Sequence, residues 1–84
     1  MTPQQQLALS VLVEQIGRTG ITLPKECGAP GLRGIMVDDW RLRLLDKTII
    51  EGKYAGNTFY RIKSALLRCH EIGVGHGFVW VPLP

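Results

Sequence analysis

The stretch Asn57–Trp80, NTFYRIKSALLRCHEIGVGHGFVW, decides how this sequence folds. Apolar residues in its first half are spaced three and four apart, which predicts a helix over residues 57–70 with one buried side. Asn57 belongs to the residue types that cap helix N-termini, so we expect the helix to begin there. The residues predicted to form the buried side are Phe59, Ile62, Leu66 and Cys69.

The opposite side of this helix is predicted to face solvent and to be basic. No acidic residue occurs between Gly52 and His70, whereas six acidic residues lie earlier in the chain. The net charge of +3 is too small to establish a polyanionic partner by itself, so the local distribution matters more. The four basic residues of this region are Lys53, Arg61, Lys63 and Arg68. At helical spacing, the residues predicted to lie on this exposed side are Asn57, Tyr60, Arg61, Ser64, Leu67 and Arg68, with Thr58 and Lys63 at its margins.

The second half of the stretch predicts a β-hairpin. Gly73 is expected to end the helix in the left-handed conformation. After Val74, the turn 75–77 leads into the apolar run 78–81, which gives a hairpin with one very short arm. We expect the apolar arm to lie against the helices and to pair with a strand at 34–37.

A helix is also predicted near the N-terminus, over residues 3–17. Thr2, Pro3 and Gln5 form a capping-box start, and Gly17 and Gly20 supply the stop. The apolar residues that recur on one side of this helix are Leu9, Leu12, Val13 and Ile16.

A second helix is predicted to follow the strand at 34–37 directly and to run to about Ile50. Asp38 with Asp39 offers an N-cap and negative charge at the positive end of the helix dipole. Its apolar residues fall on two sides, so the helix either packs against more than one neighbour or presents one side to a partner. One side carries Trp40 and Leu44, and the other carries Leu42, Leu45 and Ile49.

The connection 19–34 contains four glycines and two prolines and has little periodicity. We read it as extended chain with a brief strand at 21–23. A loop of this length in a small domain is more often functional or mobile than idle.

Length and composition indicate one folded domain over residues 1–84. Apolar residues make up 45% of the chain and charged residues 20%, as in globular proteins. The N-terminal sequence MTPQQQ lacks the features of a signal peptide, and no apolar run is long enough to span a bilayer. We therefore expect a cytoplasmic protein, without a membrane partner, whose Cys27 and Cys69 are reduced.

The predicted order of elements, α-β-α-α-β-β, is that of a winged helix-turn-helix domain. Over 34–82 the sequence resembles the winged-helix modules of plasmid and phage replication helicase and primase proteins. The resemblance is carried by GIMVDDW at 34–40, NTFYRIKSALLR at 57–68 and GVGHGFVWVP at 73–82. It implies an α+β fold of three helices plus a short sheet, with helix 57–70 as recognition helix and the hairpin as wing. The connection 51–56 is longer, and the wing tip shorter, than the family pattern.

Duplex DNA is the partner that the resemblance and the basic helix indicate. In a major groove, Arg61 and Arg68 can pair with phosphates or guanine. Asn57 and Ser64 can contact base edges or position the helix from its start. A protonated His76 at the wing tip can meet a phosphate. The predicted DNA-binding residues are Lys53, Asn57, Thr58, Arg61, Lys63, Ser64, Arg68 and His76. The function would be that of a small phage or plasmid regulator or a replication accessory protein.

A protein partner is the alternative. Tyr60 and Leu67 on the same exposed side are the residue types of a protein-binding patch. This reading makes the chain an inhibitor or adaptor that binds a host or replication protein, such as a phage-encoded protein that blocks a defence nuclease. A homodimer through the first helix, or through the spare side of the second, also remains open.

Metal, cofactor and enzyme functions are not indicated. The cysteines and histidines lack the spacings of zinc sites, such as C-x2-C. Asp38 and Asp39 are assigned to the helix start rather than to acid–base catalysis. The segment GAPGLRG at 28–34 lacks the lysine and hydroxyl residue of a phosphate-binding loop. We therefore expect no metal site, no cofactor and no catalytic residue.

Overall fold

The structure is a computed structural model that describes residues 1–29 and 31–82. Over these residues the chain forms a small α+β fold with three α-helices and a four-stranded antiparallel sheet of order β1-β2-β4-β3. The helices are α1 (Pro3–Thr19), α2 (Val37–Asp46) and α3 (Ala55–Arg68). The strands are β1 (Ile21–Thr22), β2 (Arg33–Met36), β3 (Gly73–Gly75) and β4 (Phe78–Trp80), with a 3₁₀ turn at Lys25–Cys27.

The predicted pairing of the hairpin with the strand before α2 is confirmed. Ile35 lies opposite Val79 in the β2–β4 pair, and Val79 lies opposite Val74 in the hairpin. Ile35 and Val79 are buried in the main core, with Val74 packed against it. The hairpin arms are equal at three residues each, and His76 and Gly77 form a two-residue turn in which both have positive φ. This is the type I′ geometry that two-residue hairpins favour.

The start of α1 is as predicted, and so is its packed side except for Val13, but the helix ends later than predicted. The Thr2 side chain and the Gln5 side chain cap each other's backbone N–H groups. The helix then continues through Gly17 to Thr19, and Gly20 follows in extended conformation. Val13 is exposed, because the packed side is centred one residue earlier. The buried residues of α1 are Ala8, Val11 and Leu12, with Leu9 and Ile16 partly buried.

The N-terminus of α2 is held by the backbone of the hairpin. The helix begins at Val37, whose N–H donates to the carbonyl of Gly77 at 2.9 Å. Met36 is therefore the N-cap, and it has no side-chain capping bond. The prediction that Asp38 caps this helix is wrong, although Asp38 and Asp39 lie in the first turn, where the helix dipole favours negative charge.

Both α2 and α3 end earlier than predicted, at residues in the left-handed conformation. Thr48 has φ 56°. Its N–H donates to the carbonyl of Leu45, and the N–H of Ile49 donates to the carbonyl of Leu44. His70, with φ 59°, closes α3 by the same hydrogen-bond pattern. These are Schellman motifs in which a non-glycine residue takes the position usually held by glycine. The prediction that Gly73 stops α3 is wrong, because Gly73 belongs to β3.

The main core is centred on Trp40 of α2. Its side chain is fully buried, its ring meets that of Phe59 edge-on at 5.2 Å, and its Nε1 donates to the carbonyl of Ala8 at 3.0 Å. One tryptophan thus joins all three helices. Of the second apolar side predicted for α2, Leu45 is partly buried against the core and Leu42 is exposed. Ile49 lies beyond the end of the helix and is partly buried.

A second, smaller apolar cluster lies on the opposite face of the sheet. Because side chains alternate along a strand, Trp80 points away from the face that carries Val79. Trp80 and Leu23 are both buried, yet neither belongs to the main core. The connection between α1 and β2 covers this face, and its 3₁₀ turn contacts β3. No helix in the described residues is long and apolar enough to cross a membrane.

Candidate nucleic-acid interface

Helix α3 has one buried side and one exposed side, as the sequence predicts. Phe59, Ile62 and Leu66 are buried. Cys69, expected to continue this stripe, is exposed, because α3 ends at Arg68 and the chain turns away at the left-handed His70. The exposed residues of α3 include Asn57, Tyr60, Arg61, Leu67 and Arg68, whereas Thr58, Lys63 and Ser64 are half-buried.

The helix begins two residues before the predicted N-cap. Gly52 turns the chain with φ 78°, and the N–H of Ala55 donates to its carbonyl at 3.2 Å. Tyr54 is therefore the N-cap, and it makes no side-chain capping bond. Asn57 does not cap the helix, since it already lies within the first turn. Its exposed amide is left facing solvent on the same side as Arg61.

Helix α3 differs from α1 and α2 in the pairing of its charged side chains. The ion pairs of the described residues join Glu14 to Arg18 on α1, and Asp38 to Arg41 and Asp46 to Arg43 on α2. No ion pair involves the basic residues at 53–68 in the described part of the chain. Glu71 follows α3 and is half-buried, with its N–H bonded to the carbonyl of Leu66. The outer side of α3 is thus a positive surface without a neutralising carboxylate partner.

The predicted site residues fall into three places. Asn57, Arg61, Ser64 and Arg68 recur at helical spacing on one side of α3 and form a continuous strip. Thr58 and Lys63 lie at its two flanks. Lys53 precedes the helix, and His76 lies on a different element, exposed at the turn between β3 and β4. We call the strip and its flanks, together with Lys53, Tyr54, Tyr60 and Leu67, the α3 surface.

Tyr54 is an exposed residue of the α3 surface that the sequence analysis did not single out. It is 65% exposed, and the ammonium of Lys53 lies 5.9 Å from its ring centroid. The ammonium of Lys63 lies 5.6 Å from the ring of Tyr60 in the same way. The sequence signal was the tyrosine–lysine combination, adjacent at 53–54 and three residues apart at 60–63.

The α3 surface stands on a firmly anchored connection. Ile50 is buried in the main core, and the side chain of Gln4 donates to the carbonyl of Ile49 at 3.0 Å. The chain emerges from this anchor at Glu51 and exposes Lys53 and Tyr54 immediately afterwards. The first turn of α3 is therefore positioned by α1 and the core.

A groove of about 210 Å³ lies between α1 and α2. Arg18 and Arg43 line it, but each is already paired with a carboxylate. Within the described residues no group of three or more His, Cys, Asp and Glu side chains comes together as a metal site would require. Cys27 and Cys69 are both free thiols.

Comparisons with protein-family models, curated proteins and solved structures found no match to this chain. Its function is therefore inferred from the α3 surface and from the elements that hold it.

Proposed function

We propose that this chain is a DNA-binding winged-helix protein that places the outer side of α3 in the major groove of duplex DNA. The observation that carries the proposal is the separation of charge. The arginines of α1 and α2 named above are paired with carboxylates, whereas Arg61 and Arg68 on α3 have no such partner among the described residues. Unpaired guanidinium groups on an exposed helix suit phosphate or guanine contacts.

The arrangement of elements supports the winged-helix assignment. A strand of the sheet, β2, leads directly into α2, and the hairpin β3–β4 that follows α3 returns to pair with β2. In this scheme α3 is the recognition helix and the hairpin is the wing. The two-residue turn at 76–77 makes the wing short, so α3 would supply most contacts and His76 at most one phosphate contact.

Each side chain has a distinct role in the proposed complex. Arg61 and Arg68 lie seven residues apart on one side of the helix, so both can reach phosphates or base edges along the groove. Asn57 in the first turn offers an exposed amide for an adenine edge. Lys53 and Lys63 flank the strip, and Thr58 and Ser64 complete it with hydroxyl groups. The resemblance to phage and plasmid replication modules favours a small cytoplasmic regulator or replication accessory.

Gel shift with duplex DNA at low and moderate salt tests the proposal. The wild-type chain should bind and should lose affinity steeply as salt rises, because counterions released from phosphates drive such binding. The Arg61→Ala, Arg68→Ala double variant should bind weakly. The Arg41→Ala, Arg43→Ala variant removes the same charge from α2 and should retain binding. Absence of binding by the wild-type chain at low salt would overturn the proposal.

A second function, inhibition of a host protein, is favoured by two exposed side chains on the same surface. Tyr60 is 64% exposed and Leu67 is 44% exposed, and an aromatic beside an aliphatic residue is typical of protein-binding hot spots. Such an inhibitor would use Arg61 and Arg68 to occupy the DNA channel of a nuclease. A pull-down that retrieves one host protein in stoichiometric amount, and loses it on Leu67→Asp, would support this function over DNA binding.

A further inference from the structure

Two tyrosine rings project from the N-terminal half of the α3 surface. Tyr54 and Tyr60 are 65% and 64% exposed, more than any other large apolar side chain that the structure describes. Tyr54 precedes the first turn and Tyr60 follows six residues later, about 1.7 helical turns, so the two positions lie on either side of Asn57 on the helix surface. Neither ring contributes to the main core.

Each of these rings has a lysine ammonium beside it. Lys53 Nζ lies 5.9 Å from the centroid of the Tyr54 ring, and Lys63 Nζ lies 5.6 Å from that of Tyr60. An exposed contact of this kind stabilises a fold only slightly. Both lysines lack a carboxylate partner in the described residues, so their charge is available to an anion.

An aromatic face next to a cation matches the two parts of one nucleotide. A base stacks on the ring, and its phosphate, a short distance away along the backbone, meets the ammonium. Bases inside a duplex are already stacked on each other and cannot reach a protein ring. The combination of ring and cation therefore favours unpaired nucleotides. The strip that carries Arg61 and Arg68 requires only phosphates or groove edges, which a duplex offers.

We propose that Tyr54 and Tyr60, with Lys53 and Lys63, form a stacking site for unpaired nucleotides. The ligand of the whole surface is DNA in which a single-stranded segment adjoins a duplex. The duplex contacts the arginine strip, and the unpaired bases stack on the two tyrosines. This inference rests on the proposed DNA-binding function and specifies the form of DNA that the surface takes.

Three DNA probes test the inference on the full chain. One is a blunt duplex, the second is the same duplex with an oligothymidine overhang, and the third is the oligothymidine alone. Affinity is measured for each by fluorescence anisotropy at constant salt. The overhang duplex should bind most tightly. Tyr54→Ala and Tyr60→Ala should each weaken its binding by roughly fivefold to a hundredfold, the range that stacking of one base on one ring spans.

Matched variants separate stacking from other effects. Tyr54→Phe and Tyr60→Phe keep the ring and should retain the preference for the overhang. Leu42→Ala removes an exposed apolar side chain from α2, outside the α3 surface, and should leave that preference unchanged. All of these positions are exposed, and circular dichroism would confirm that each variant is folded.

The outcomes of this experiment distinguish the inference from the proposed function. Equal affinity for the blunt and overhang duplexes, with no effect of the tyrosine variants, would overturn the stacking site and leave duplex binding intact. Loss of binding in the phenylalanine variants would also overturn it, because the hydroxyl groups and not the rings would then carry the contact. No binding to any probe would overturn both proposals.

Discussion

The indole of Trp80 lies against the backbone of Gly73 in the neighbouring strand. The two residues face each other in the β3–β4 pair, and a Cβ on Gly73 would fall 2.7 Å from Cζ2 of Trp80 and closer still to Cε2 and Nε1. A Cβ on Gly34, opposite Trp80 in β2, would fall 2.5 Å from the carbonyl oxygen of Val79 and 2.7 Å from Cδ2 of Leu23. Glycine at position 73 therefore leaves room for the indole ring against β3, and glycine at position 34 leaves room for Leu23 on β2.

Gly73→Ala should destabilise the fold by about 1–3 kcal/mol, the typical cost of forcing extra atoms into a packed site. Trp80 is buried, so its ring has little free space to move into. Chemical denaturation of the variant and the wild type gives the difference. Gly75→Ala is the matched control in the same strand, since its Cβ would make an ordinary contact of 3.4 Å with the ring. Equal stability of the two variants would contradict the close packing.

Trp40→Phe should destabilise the chain by about 1–3 kcal/mol, from the lost hydrogen bond and the cavity left by the smaller ring. The bond from Nε1 to the carbonyl of Ala8 is buried, and it ties α2 to α1. The edge-on contact with Phe59 would persist in part. Urea denaturation with an unchanged m-value would show that stability and not compactness has altered. A variant as stable as the wild type would show that the indole N–H contributes nothing.

Helix and strand positions were largely predictable because their signals are local. The capping box at Thr2 and Gln5 fixes the start of α1, and the spacing of Phe59, Ile62 and Leu66 fixes the packed side of α3. The pairing of β2 with β4 followed from two short apolar runs that had no other partner. Local patterns of this kind are set by backbone geometry and need no tertiary information.

Helix ends were not predictable, because tertiary contacts set them. Thr48 and His70 take the left-handed conformation without being glycine, so neither marks an end in the sequence. The start of α2 is held by a backbone bond from Val37 to Gly77, forty residues away, in place of a capping side chain. Similarly, the connection 19–34 showed no periodicity, and its role in covering Trp80 appears only in three dimensions.

The candidate site was predicted in part. The exposed side of α3 followed from helical geometry once the packed side was known, so the positions of Arg61 and Arg68 were derivable. Tyr54 was missed because the helix was expected to start at Asn57, which left Tyr54 in the preceding loop. Whether α3 forms ion pairs depends on which carboxylates approach it, and none does among residues 1–29 and 31–82. A sequence alone does not give that.

Thr48→Gly should stabilise the protein by about 1 kcal/mol, because glycine adopts the left-handed conformation without the steric cost that a β-branched residue meets. Thr48 is exposed, and its backbone N–H closes the end of α2, a bond that glycine retains. Thermal denaturation measures the gain. Thr58→Gly is the control: this threonine lies within α3, where the poorer helix propensity of glycine should lower stability by roughly 0.3 kcal/mol. The Thr48 hydroxyl donates to the carbonyl of Lys47 at 2.7 Å, an exposed bond that glycine loses. Destabilisation by both substitutions would show that this bond outweighs the steric relief.

Duplex binding by the α3 surface should depend on salt in proportion to the phosphates that it contacts. Each phosphate contact adds about 0.9 to the slope of log K against log salt concentration on B-form DNA. If Arg61 and Arg68 each contact a phosphate, the double alanine variant should lower that slope by about 2. Arg41 and Arg43 are paired with Asp38 and Asp46 on α2, so their double alanine variant should leave the slope unchanged.

Both variants remove two positive charges, so a difference between them reports where the charges lie and not the net charge. Equal slopes for the two variants would show that DNA binds through general electrostatic attraction, without a defined binding site on α3. An unchanged slope with weaker binding in the α3 variant would instead place the arginines on base edges, where loss of affinity depends on DNA sequence.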